Sequence, residues 1–135
     1  MDINHEEKII RSFIEKRLQD RVLFELSKQK YREKLYWRLT NYFETTVNQR
    51  YIQKMEFIDI TKLVPLLKSE GATNDCYVLS YDQDYDGKYY SLNDDVIKKL
   101  ICNGMPFIIS CIPGKLAYFQ GERELGEPVR YLFKK

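Results

Sequence analysis

Histidine is nearly absent from this chain: His5 is the only one in 135 residues. A nucleophilic cysteine or serine needs a base beside it, and imidazole is the usual one. Structural zinc needs several Cys or His at set spacings. With one histidine and no C-x-x-C, the sequence carries neither pattern. Cysteine is scarce as well. Cys76, Cys102 and Cys111 are odd in number and without repeated spacing, which does not suggest a disulfide framework and points to a reduced, cytoplasmic protein. Six glycines and four prolines leave no room for a flexible linker, and neither residue type occurs before Pro65. Neither G-x-x-x-x-G-K-[ST] nor G-x-G-x-x-G is present, so the phosphate-cradling loops are missing. No apolar run approaches the roughly 20 residues of a membrane helix. The polar start, "MDINHEEKII", does not read as a signal peptide.

What is there is aromatic and charged. Apolar residues make up 44% and charged residues 31%, the balance of a globular domain, but eleven tyrosines and seven phenylalanines are an excess. Tyrosine joins an apolar ring to a polar tip, which suits half-buried and partner-binding surfaces. Net charge is only +2, yet it is unevenly spread. Residues 1–58 sum to +3, residues 59–99 to −3 and residues 100–135 to +2. The length predicts a single domain over residues 1–135.

Apolar spacings of three and four place Ile10, Phe13, Ile14, Leu18, Val22 and Leu26 on one helical face, predicting a helix over 5–27. Asn4 and Glu7 have the spacing of a capping box. His5 then falls in the first turn, in solvent. Tyr31, Leu35, Leu39, Tyr42, Phe43 and Val47 predict a second helix over 30–47. Segment 50–59 reads as a strand with Tyr51, Met55, Phe57 and Asp59 on one side. Residues 59–71 read as a short helix capped by Thr61, with Pro65 tolerated only near its first turn and Gly71 past its end. The run 76–81 is a strand. Residues 91–104 are a helix capped by Ser91 and Asp94, with Val96, Ile97, Leu100 and Ile101 on its apolar face. The run 106–112 is a buried central strand, Pro113-Gly114 a turn, and two further strands follow. The expected fold is α+β: N-terminal helices packed on one face of a mostly antiparallel sheet of 4–5 strands.

Four chemistries deserve weighing. Asp82, Asp84, Asp86 and Gly87 begin like an EF-hand loop, but position 12 is Asn93 and a strand stands where a helix is needed. An acidic turn is the simpler reading, so no metal is assigned. Cys111 lies inside an apolar strand and reads as a small hydrophobe. The run "KQKYREKLYWRLTNYF" interleaves Lys28, Lys30, Arg32, Lys34 and Arg38 with Tyr31, Tyr36, Trp37 and Tyr42, a pattern that can neutralise phosphates and stack bases. The same residues also sort onto the two faces of a helix, with Tyr31, Leu35, Leu39 and Tyr42 inward. Glycosidase-like work would require two of the many carboxylates in a cleft at a defined separation.

These readings favour a small non-enzymatic protein that binds another protein, without cofactor, of the kind found among bacterial immunity proteins, antitoxins and adaptors. Its expected contact is the acidic tyrosine loop: Asp82, Asp84, Tyr85, Asp86, Tyr89 and Tyr90, facing a basic partner. The alternatives are a nucleic-acid-associated protein using helix 28–42, or a divalent-metal-dependent enzyme using loop 82–86. No membrane partner is expected.

Overall fold

Side-chain alternation sets the architecture. Along a strand, successive side chains leave on opposite faces, and here both faces are apolar. In the computed structural model, which describes residues 1–56 and 59–135, the central strands are buried on both sides. Tyr77, Leu79, Ile108, Ala117, Phe119 and Phe133 point into one core. Their neighbours Cys76, Val78, Phe107, Ile109, Cys111, Leu116, Tyr118 and Leu132 point into the other.

The strands are β1 (Ile52–Met55), β2 (Asp75–Ser80), β3 (Lys88–Ser91), β4 (Phe107–Ile112), β5 (Leu116–Gln120) and β6 (Arg130–Lys134). They form one antiparallel sheet in the order β1-β6-β5-β4-β2-β3. The α+β expectation holds, with six strands instead of four or five. β3 is the addition, because the segment read as an acidic turn continues into a strand paired with β2. The strand read over 50–59 is confined to β1, and Phe57 lies outside the described residues.

The N-terminal helices cover one face, but in shorter pieces than the spacing predicts: α1 (Ile3–Phe13), α2 (Lys16–Leu26), α3 (Lys34–Asn41) and α4 (Phe43–Thr46). The first break falls at Ile14, whose backbone is extended (φ −96°, ψ 143°) and bridges to Val47. The Asn48 N–H donates to the Phe13 carbonyl and the Glu15 N–H to the Thr46 carbonyl, both at 2.8 Å. Backbone groups that a continuous helix would satisfy internally are satisfied across chain instead. The second break falls at Tyr42 (φ −137°, ψ 42°). It reorients the stripe, so Leu35, Tyr36 and Leu39 are buried while Tyr42 is exposed.

The opposite face is covered by α5 (Ile60–Ser69) and α6 (Asp95–Cys102), whose Leu63, Leu67, Ile97 and Leu100 complete the second core. The caps differ from the sequence reading. Asp2, not Asn4, caps α1; Asp59, not Thr61, caps α5; Asp94, not Ser91, caps α6. Each is an aspartate in extended backbone, the geometry that lets its carboxylate accept a first-turn N–H. Pro65 is the sixth residue of α5, past the first turn, so the Thr61 carbonyl lacks its amide partner four residues on. Among the described residues, no helix is long and apolar enough to cross a membrane.

Candidate functional site

His5 is not in solvent. It is 6% exposed, at the start of α1 where α1 meets β2, β3 and β4. Asp2 accepts the His5 N–H on Oδ1 (3.0 Å) and the Tyr89 hydroxyl on Oδ2 (2.6 Å). Tyr89 has one proton and gives it to Asp2, so its oxygen accepts from His5 Nδ1 at 2.9 Å. In a neutral ring Nε2 is then bare and accepts from the Ser110 hydroxyl at 2.6 Å. The Tyr89–Asp2 pair therefore places the proton of the neutral ring on Nδ1. Burial holds its pKa below the ordinary value, against the pull of Asp2. Burial and the bond to Asp2 push the Tyr89 hydroxyl up to about 12.

Ser110, His5, Tyr89 and Asp2 thus have the proton order of a hydrolytic relay with a tyrosine inserted. The nucleophile is covered, however. Ser110 is 1% exposed in the middle of β4. The shallow cleft beside it is lined by Met1, Asp2, Ile3, Asn4, Tyr77, Gly87 and Tyr89, and by neither His5 nor Ser110. In this geometry the chain of bonds ties the α1 N-terminus to the sheet.

A second buried network adjoins it. Arg32 forks onto both Glu6 oxygens (2.9 and 2.8 Å), donates Nε–H to Asp86 Oδ2 (2.7 Å), and reaches Asp86 Oδ1 at 3.4 Å and the Leu26 carbonyl at 2.7 Å. These contacts use all five guanidinium donors. Glu6 also accepts the Tyr77 hydroxyl, and Asp86 the Ser80 N–H. Burial opposes the Arg32 charge, but Glu6 and Asp86 outweigh it and raise its pKa. Breaking such a buried set by removing one member costs about 3–5 kcal/mol. Among the described residues, the Tyr36 hydroxyl, buried beside Asp86, closes no hydrogen bond of good geometry.

The expected contact loop is divided by these networks. Asp86, expected on the contact surface, is 6% exposed and held by Arg32 in the interior. Tyr89 and Tyr90 alternate on β3 and leave on opposite faces: Tyr89 packs against Tyr77 and His5, Tyr90 against the core beneath α5 and α6. Tyr85 is half-buried beside Tyr90. Asp82 turns back to accept the Asp84 N–H, and Asp84 is exposed. The three alternate aspartates do not converge. Among the described residues, no three metal-ligating side chains group together. Cys76 and Cys111 are buried, which pushes both thiols up to about 12.

The basic aromatic segment is likewise sorted. Arg32 is interior, and Arg38 forks onto Glu25 at 3.2 and 2.9 Å. Tyr31 lies under Lys30 and Lys34. What remains outside is Trp37, 56% exposed, with Tyr42 edge-on at 5.2 Å. Trp37 borders a groove of about 700 Å³ also lined by Tyr36, Tyr81, Met105 and Pro106. Tyr81 and Met105 are themselves exposed large apolar side chains. The sequence carried one trace of this surface: the lone tryptophan sits off the apolar stripe of its helix. Tyr81 follows β2 and Met105 precedes β4, both distant in sequence, and they left no local signal. No family model, curated protein or solved structure matches this chain.

Proposed function

We propose that this protein acts by binding another protein, as small immunity proteins, antitoxins and adaptors do, and that the groove at Trp37 is its contact surface. One observation carries the reading: Trp37, Tyr81 and Met105 are large, apolar and exposed around one groove, with exposed Tyr42 edge-on to Trp37. Exposed apolar surface gathered in one place costs solubility unless a partner covers it, and tryptophan and tyrosine are the side chains that dominate interface energies. The covered position of Ser110 supports binding over hydrolysis. The buried thiols of Cys76 and Cys111 suit a reducing compartment such as the cytoplasm. The double substitution Trp37→Ala, Tyr81→Ala tests this. Tagged wild-type protein should co-purify with a near-stoichiometric protein from its source cells, and the double variant, melting at the same temperature, should lose it. Absence of a partner, or equal recovery by both, refutes the reading.

A further inference from the structure

The charges around the groove are uneven, and their arrangement says what kind of segment fits. Glu25, 2% exposed, is one carboxylate held by two guanidiniums: Arg38 through Nε and Nη2, and Arg21 through Nε at 3.3 Å. Burial opposes the Glu25 charge, yet Arg38 and Arg21 hold its carboxyl below the usual range. One negative charge between two positive ones leaves a surplus on this wall. Arg21 Nη1 and Nη2 and Arg38 Nη1 make no hydrogen bond among the described residues. The Arg21 side chain is 66% exposed and that of Arg38 19%, so these donors are open to a ligand. Lys34 and Glu33 also line the groove, adjacent in sequence and opposite in charge. Glu122 lies on the strand side, where the neighbouring Arg123 N–H meets the Gly104 carbonyl beside Met105. On the helical side Arg21, Lys34 and Arg38 exceed Glu25 and Glu33 by one positive charge, and Glu122 brings one negative charge from the chain after β5.

We infer that the groove receives an acidic-apolar segment of a protein: an aromatic or aliphatic side chain over Trp37 and Tyr81, with a neighbouring carboxylate on Arg21 and Arg38. This rests on the protein-binding reading above and names the partner's chemistry. A carboxylate completes what Glu25 half-satisfies, because guanidinium forks match planar carboxylates. A polyanion fits worse, since Glu33 and Glu122 stand on the same groove. The partner feature is then opposite in sign to the basic partner that the acidic loop suggested.

The probe is a phage-displayed random heptapeptide library, panned on the folded wild-type protein and counter-selected on Trp37→Ala. Trp37 is the only tryptophan in the chain, so its emission reports occupancy of the groove directly. Selected peptides should carry Asp or Glu next to a large apolar residue and should saturate the Trp37 signal. Arg21→Gln should weaken them about fivefold, the scale of a partly exposed ion pair, and added salt should do the same. Enrichment of Lys or Arg, no charge bias, no Trp37-dependent binder, or saturation by a single-stranded oligonucleotide instead overturns the inference. The two readings fail separately. A Trp37-dependent cellular partner that binds Arg21→Gln as tightly as wild type removes the acidic segment and leaves the protein-binding reading standing.

Discussion

Burial favours the neutral form of His5, whose two ring nitrogens meet the Tyr89 and Ser110 hydroxyls. The groups that face it are Asp2, Glu6 and Lys8 from its own segment, Tyr89 from β3, Tyr77 from β2 and Ser110 from β4, with Arg32 and Asp86 behind Glu6. Unfolded, an imidazole takes its proton near pH 6.5. Folded, burial keeps the His5 pKa below that value, so the unfolded chain binds the extra proton first as pH falls. The stability tied to neutral His5 is complete above about pH 6.5 and is lost from there down through the folded pKa. The Tyr89 hydroxyl and the His5 N–H hold the carboxyl of Asp2 below the usual carboxylate range. Urea unfolding at about pH 7.5 and 5.5 should therefore show wild type losing more stability than His5→Gln. Equal losses in the two proteins would remove His5 as the cause. None of this was legible locally: a histidine one turn into an amphipathic helix reads as solvated until β3 and β4 close over it.

The turn between β4 and β5 shows how an element is docked. Gly114 has φ +72°, a region that favours glycine, and it lies against α1. A Cβ there would sit 2.8 Å from Ser12 Oγ and 3.3 Å from the Lys8 carbonyl oxygen. Gly126 has a similar φ of +78°, but nothing lies within 4 Å of its Cβ position. Gly126→Ala should cost about 1–2 kcal/mol of backbone strain alone. Gly114→Ala should cost measurably more, because α1 must shift as well, and urea midpoints would show the order. If the two alanines cost the same, α1 is not seated on this turn. The Pro-Gly pair made the turn readable from sequence, whereas its contact with α1 was not. The break at Ile14 is the reverse case. No glycine or proline marks it, because the cause is Val47, 33 residues along, offering the backbone another partner.

At the scale of the molecule, the sheet is shared by two cores, so neither can be lost while the other persists. The N-terminal helices pack on Phe119 and Phe133, and α5 and α6 on Tyr118 and Leu132, alternate residues of the same strands β5 and β6. Urea unfolding followed by Trp37 fluorescence, which sees the helical layer, should coincide with unfolding followed by far-ultraviolet circular dichroism. A Trp37 transition that precedes the sheet signal would divide the chain into two cooperative units.

The sequence by itself determined the fold class and most of the elements, since apolar periods of two and of three to four are properties of neighbouring residues. It also determined the central position of β4, through a run that is apolar at every position from Phe107 to Ile109. Tertiary structure decided the rest. It buried His5 and Asp86, split Tyr89 from Tyr90, and carried helices to both faces of the sheet. It also set Trp37 beside Tyr81 and Met105. Each of these depends on which distant backbone or charge a side chain meets, and such a meeting lowers free energy only after the chain has closed on itself.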